Sequence, residues 1–192
     1  MALEMRSGGW KKYYWLDLWA LAERFLRPDQ TLVEVAYCTA KVRDDPPGLA
    51  RQLTFIDALQ AHRPGIKVLY GHYLAKEIQC FRCGNSYRKH EEKMTDVNIA
   101  CRMLTDAMDD RFDVALLISG DSDLVPPVQI VRQRWPAKRV VVLFPPNRHS
   151  DALKNAANGL KRISEADLRQ SLLPNQVEVI PGKFVTRPPS WS

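Results

Sequence analysis

A chain of 192 residues is long enough for one domain with a sizeable core, and its 45% hydrophobic and 26% charged residues are typical of a soluble globular protein. No apolar run is long enough to cross a membrane, and the first residues do not predict a secretory signal. Four cysteines do not suggest a disulfide framework, which favours the reducing cytoplasm. The net charge of +6 favours a polyanionic partner, although a basic surface without any partner explains it equally well.

The first half of the chain alternates predicted helices and strands. Apolar residues at helical spacing predict a helix over 14–26, and the run TLVEVAYCTA predicts a strand over 31–40. A second helical stripe covers 49–61, and IKVLYGHYL predicts a strand over 66–74. A polar stretch over 75–92 follows and contains CFRCGNSYRKHEEK.

In the second half, apolar residues at helical spacing predict a helix over 94–108, with Val97, Cys101, Leu104 and Met108 on its apolar stripe. The continuous apolar run FDVALLIS predicts a strand buried on both faces. The other predicted elements are a helix over 124–134 with Pro126 and Pro127 in its first turn, a strand over 139–145, short helices over 150–157 and 165–172, and a strand over 177–180. This alternation predicts an α/β domain over 1–180 with a mainly parallel sheet covered on both faces, followed by a loose tail over 181–192.

Two aspartates, Asp121 and Asp123, directly follow the predicted strand over 112–119. Ligands of open parallel sheets bind at the carboxyl ends of the strands, so both acids lie at the expected functional edge, with Gly120 allowing a sharp turn. The alternative is a plain strand–turn–helix connection in which Asp123 only caps the helix. Both interpretations can hold together, with one acid capping and the other serving chemistry.

A third acid, Asp96, opens the helix that leads into this strand, so it faces the same edge. Converging carboxylates repel one another unless a cation holds them. Oxygen ligands select hard ions such as Mg²⁺ or Mn²⁺, and these ions support in-line attack at phosphorus. The acids therefore predict a metal site that suits the backbone of a nucleic acid.

The segments EEKMTDVNIA, DDRFDVALLISGDSDLVPPVQIV and KRVVVLFPP together resemble the NYN domain family of the PIN-like nuclease superfamily. The resemblance covers roughly 14–173 and implies a three-layer α/β/α, Rossmann-like fold and a Mg²⁺- or Mn²⁺-dependent ribonuclease acting on RNA, expected to be single-stranded. It also implies that Asp96, Asp121 and Asp123 hold the metal and that Ser119 is a supporting hydroxyl. A catalytically impaired module of the same fold, which binds RNA or protein, is the alternative.

One departure from the family pattern concerns the start of the chain. The pattern opens with a strand that ends in an Asp-Gly-x-Asn motif, whereas this chain matches from the segment after it, and Glu4 is the one acid before Asp17. The missing strand would lie between 31–38 and 112–119 in the sheet. We therefore expect the chain either to be poorly stable or to pair these two strands directly.

Two further groups of residues are candidates for binding. Cys80 and Cys83 form a zinc-knuckle-like half site, which His72, His90 or a second copy of the chain can complete; the alternative is a pair of loop thiols. For RNA phosphate, Lys93 lies next to the acids, and Arg148, with His149, follows the strand over 139–145. A solvated loop explains Arg148 and His149 equally well, and Lys93 can simply neutralise the acids. Cys38 and Cys101 fit apolar patterns and are expected in the core.

Overall fold

The computed structural model describes residues 8–79 and 81–191, with the side chains of 72–78 and 87–93 outside the description. Six helices and eight strands are numbered here in chain order. The helices are α1 (Leu18–Glu23), α2 (Pro46–His62), α3 (Thr95–Met108), α4 (Val125–Arg134), α5 (Asp151–Ala156) and α6 (Glu165–Arg169). The strands are β1 (Val35–Ala40), β2 (Ile66–Gln79), β3 (Ser86–Lys93), β4 (Val114–Ile118), β5 (Arg139–Phe144), β6 (Gly159–Arg162), β7 (Gln176–Ile180) and β8 (Lys183–Thr186).

The strands form two three-stranded sheets and one hairpin. In the first sheet β1 pairs in parallel with β2, and β2 continues past β1 to pair with β3 in antiparallel register. In the second sheet β4, β5 and β6 are all parallel. Helices cover both sides, so the chain has the predicted three-layer α/β/α architecture with mainly parallel strands. The parallel strands place the loops after β4 and β5 at one edge, which is called the carboxyl edge below.

Two hydrophobic cores lie on opposite faces of the sheets. The first is rich in aromatic side chains from the N-terminal segment, α2 and the C-terminus, and fully buried Trp15 lies within it. The second packs α3, α4 and α5 against β4 and β5. On α3 the predicted helix is confirmed, but its apolar stripe is not, because Val97, Cys101 and Met108 are exposed while Met103 and Ala107 are buried.

The N-terminal helix is shorter than the apolar pattern predicts. Residues 8–13 form a 3₁₀ helix, and α1 begins only after Asp17, whose carboxylate accepts hydrogen bonds from the backbone N–H groups of Trp19 and Ala20. The intervening residues bond to a distant segment instead of continuing a helix: the N–H of Leu173 donates to the Trp15 carbonyl. Asp17 is buried and accepts a hydrogen bond of 2.8 Å from Arg63 Nε, which ties the start of α1 to the end of α2.

Two stretches are more ordered than the sequence suggests. The polar stretch over 75–92 contains the end of β2 and most of β3, which pair with each other as an antiparallel arm. This arm extends beyond the part of β2 that pairs with β1. The C-terminal segment is not a loose tail, because β8 pairs with β7 and Trp191 is buried in the first core beside Tyr14 and Phe55. Among the described residues, none of the helices combines the length and apolarity needed to span a bilayer.

The two three-stranded sheets are separate in the described part of the chain, and a cavity of about 930 Å³ lies between β1 and β4. The expected direct pairing of these strands is therefore wrong. The strand predicted over 31–40 is shorter in the structure, and β1 starts only at Val35. Residues 31–34 line this cavity and do not form strand hydrogen bonds with another described strand. The same gap explains why β4 is not buried on both faces: only Leu117 of its five residues is buried.

Candidate functional site

The loop after β4 is organised around Ser119, Asp121 and Asp123. The Ser119 hydroxyl is buried and accepts a hydrogen bond from the backbone N–H of Asp121 at 3.1 Å. The carboxylate of Asp121 accepts the backbone N–H of Asp123 at 3.0 Å and thereby caps the 3₁₀ turn over 122–124. The sequence interpretation assigned the capping role to Asp123, but the structure assigns it to Asp121. Both carboxylates are exposed at the carboxyl edge.

Helix α3 brings Asp96 to the same region. Met94 adopts a left-handed backbone conformation with φ of 74°, which turns the chain directly from β3 into α3 and places Asp96 in the first helical turn. The helix packs against β1 and against the 122–124 turn. Burial raises the pKa of the Cys38 thiol near the end of β1, and the negative charge of Asp96 raises it further.

The loop after β5 closes the edge from the other side. An added Cβ at Gly120 would lie 2.9 Å from Arg148 Cβ and 3.5 Å from the backbone nitrogen of His149, so the loops after β4 and β5 are in direct contact. His149 Nε2 lies 2.9 Å from Asp151 Oδ1, and this hydrogen bond lowers the pKa of the Asp151 carboxyl. Gly120 is therefore needed because a side chain at this position would clash with the loop after β5. The sequence pattern had instead indicated that this glycine allows a sharp turn.

The other predicted site residues are described only in part. Lys93 is the last residue of β3 and directly precedes the turn into α3, but its side chain lies outside the described residues. Cys80 and the side chains of His72 and His90 lie outside them as well, while Cys83 is exposed in the turn between β2 and β3. Cys38 is buried as predicted, and Cys101 is exposed instead of lying in the core.

A preassembled metal cage is absent from the described part of the chain, where no three side chains of His, Cys, Asp or Glu are close enough to hold one ion together. The acids do offer the right chemistry, because their oxygen donors are those that Mg²⁺ and Mn²⁺ prefer. Mg²⁺ usually keeps several waters and takes one or two protein carboxylates together with substrate phosphates. The donor set therefore fits an ion that completes its coordination with water.

Sequence reasoning missed one participant at this edge. Asp151 holds His149, and the signal for it was the short His-x-Asp spacing.

Comparisons with known proteins agree with this architecture. The sequence model of the NYN domain matches residues 5–163. A curated relative, 6-hydroxy-3-succinoylpyridine 3-monooxygenase HspA from Pseudomonas putida, is 26% identical over 225 residues, covering 93% of this chain and 69% of its own length. A protein of unknown function from Vibrio parahaemolyticus has a similar fold, with a TM-score of 0.50 and 23% identity over 85% of this chain and 81% of its own. On the span of the family match, the chain belongs to the NYN domain family.

Proposed function

We propose that this NYN domain is a ribonuclease that cleaves single-stranded RNA with the help of Mg²⁺ or Mn²⁺. The observation that carries the proposal is the exposed pair Asp121 and Asp123 on the loop after β4, beside the helix whose first turn carries Asp96. Carboxylates at the carboxyl edge of a parallel sheet are well placed to act on a ligand bound there. The family match supports a nuclease-like fold for this arrangement.

The acids have distinct tasks in this proposal. Asp121 has one oxygen committed to the backbone N–H of Asp123, which fixes the orientation of its carboxylate. Ser119 fixes the backbone one step earlier by accepting the N–H of Asp121. Asp96 and Asp123 contribute carboxylates from the neighbouring helix and turn. When bound, the ion supplies positive charge that orients a water for in-line attack and stabilises charge on the phosphorus oxygens.

Basic groups at the same edge suit the RNA backbone. Arg148 is on the loop that touches Gly120, and Lys93 precedes the turn into α3. A guanidinium can form paired hydrogen bonds with phosphate, while an ammonium acts as a point charge. The chain as a whole carries a net charge of +6, which draws a polyanion toward the protein. We assign Arg148 and Lys93 to phosphate contacts that position the RNA.

Two other functions compete with this proposal. One is a non-catalytic module that binds RNA or protein through the same edge. The other is hydroxylation of a pyridine ring, which rests on the 26% identity to the monooxygenase from Pseudomonas putida.

The test is cleavage of a fluorescent single-stranded RNA with and without Mn²⁺. We expect metal-dependent cleavage that Asp121→Asn abolishes, since the amide retains the capping oxygen but loses the charge. The matched control is Asp109→Asn, an exposed acid at the opposite end of α3 from Asp96. RNA binding without cleavage by the unmodified chain would favour the non-catalytic module. Equal cleavage by the Asp121→Asn variant would contradict the assignment of the acids.

A further inference from the structure

A histidine–aspartate pair lies at the carboxyl edge, on the loop after β5. His149 Nε2 lies 2.9 Å from Asp151 Oδ1, and this hydrogen bond lowers the pKa of the Asp151 carboxyl. The carboxylate is therefore ionised at neutral pH and can only accept a hydrogen bond, so Nε2 carries the hydrogen. The other ring nitrogen, Nδ1, is then the one that can meet a substrate.

The imidazole ring of His149 is held from a second side. Its centroid lies 4.8 Å from the ring centroid of Phe144, the buried last residue of β5. The backbone before it forms a turn in which the N–H of Arg148 donates to the Pro145 carbonyl at 3.1 Å. These contacts restrict the orientation of the ring, while the His149 side chain stays 39% exposed. His149 therefore combines a positioned ring with access to solvent.

The pair lies against the acidic loop after β4. An added Cβ at Gly120 would come within 3.5 Å of the backbone nitrogen of His149. Helix α5, whose first residue is Asp151, packs against the 122–124 turn that contains Asp123. An RNA phosphate bound at the carboxylates of this loop would therefore lie near His149.

The chemistry of the pair suits proton transfer better than metal binding. Among the described residues, no three side chains of His, Cys, Asp or Glu are close enough to hold one ion together. Imidazole titrates near neutral pH, so it can deliver a proton and recover it from solvent. Phosphodiester hydrolysis needs such a proton, because the ribose oxygen that leaves phosphorus is otherwise a strongly basic alkoxide. The neighbouring Arg148 cannot supply it, since a guanidinium does not give up its proton in proteins.

We propose that His149 is a catalytic residue that protonates the leaving oxygen of the cleaved RNA linkage, with Asp151 as the positioning residue that holds its ring. The inference rests on the ribonuclease activity proposed above. Water forms a new bond to phosphorus as the bond from phosphorus to the ribose oxygen breaks, and that oxygen keeps the bonding electron pair. The oxygen takes the proton from His149 Nδ1, the water releases one proton to solvent, and His149 regains one from solvent.

The test compares two RNAs that differ in one atom. The products that the unmodified chain forms with Mn²⁺ identify the bond that is cut and the oxygen that leaves. A second RNA carries sulfur in place of that oxygen, because a thiolate leaves without a proton. We expect His149→Gln to slow cleavage of the oxygen-linked RNA by roughly 10²–10⁴-fold, while the sulfur-linked RNA is cleaved as fast as by the unmodified chain. Full cleavage of the sulfur-linked RNA also shows that the variant is folded.

Two further variants complete the comparison. Asp151→Asn should slow cleavage of the oxygen-linked RNA alone, and by less than His149→Gln, because the imidazole is still present. His62→Gln is the matched control. It removes an imidazole that lies 3.8 Å from Asp17, at the end of α2 and before β2 begins, which is the amino end of the first sheet. We expect this control to cleave both RNAs as the unmodified chain does.

Three outcomes would overturn the proposal. Equal cleavage of the oxygen-linked RNA by His149→Gln and by the unmodified chain would leave the pair with a structural role in the loop after β5. An equal loss on both RNAs would mean that His149 binds phosphate or supports the fold and does not donate the proton. An unmodified chain that cleaves no RNA would overturn the proposed ribonuclease activity together with this inference, and that result is distinguishable because it involves no variant.

Discussion

The contact between the loops after β4 and β5 predicts a specific effect of Gly120→Ala. The new methyl group would lie 2.9 Å from Arg148 Cβ, whereas ordinary contacts of this kind begin at 3.4 Å. The loops must separate by a few tenths of an ångström, because Arg148 Cβ is fixed to the backbone and cannot swing away. Overpacking of this kind costs about 1–3 kcal/mol. For a chain of this size we expect the melting temperature to fall by roughly 3–10 °C.

Gly159→Ala is the matched control, because its added Cβ would meet only Val141 Cγ2 at an ordinary 3.8 Å. We expect this variant to be neutral or more stable by about 0.4–1 kcal/mol. Thermal unfolding of both variants is the assay, and RNA cleavage is measured alongside it. Since Gly120 lies next to Asp121, the first variant should also lose cleavage activity at a temperature where it is fully folded. Equal stability of the two variants would refute the close approach of the loops.

Three further predictions concern stability, charge and zinc. Asp17→Ala should cost about 2–4 kcal/mol in thermal unfolding, from the lost helix cap and the charged hydrogen bond with Arg63, and Asp17→Asn should cost less because it retains the cap. RNA binding should weaken steeply with salt in gel-shift titrations, because phosphate contacts release counterions; a flat response would indicate a protein partner. Any zinc that copurifies with the protein in the absence of chelator should disappear from a Cys80→Ser, Cys83→Ser double variant, and persistent zinc would place the metal elsewhere.

The sequence pattern predicted the helices and strands whose formation depends mainly on neighbouring residues. The helix over 94–108 and the strand over 139–145 are confirmed as α3 and β5, because long periodic or continuous apolar runs have few alternative structures. The alternation of these elements was enough to place Asp121 and Asp123 at the carboxyl edge. It also predicted the three-layer architecture, since a parallel sheet must be covered on both faces.

Elements that depend on distant partners were not predictable in this way. The start of the helix predicted over 14–26 is not helical because Trp15 and Asp17 bond to residues 171–173, more than 150 positions away. Strand β6 has the sequence GLKR, and three of its four residues are exposed, so it shows no apolar signal. The buried stripe of α3 was misassigned because the gap beside β4 and the position of α4 decide which face is covered.

The central claim is that acids at the carboxyl edge hold a divalent ion, and calorimetric titration with Mn²⁺ tests it most directly. The unmodified chain is compared with Asp96→Asn and Asp121→Asn, with Asp109→Asn as the control at the far end of α3. We expect both site variants to weaken Mn²⁺ binding by roughly tenfold or more, without a change in the folded structure, while the control binds as the unmodified chain does. Unchanged Mn²⁺ affinity in both site variants would contradict the account.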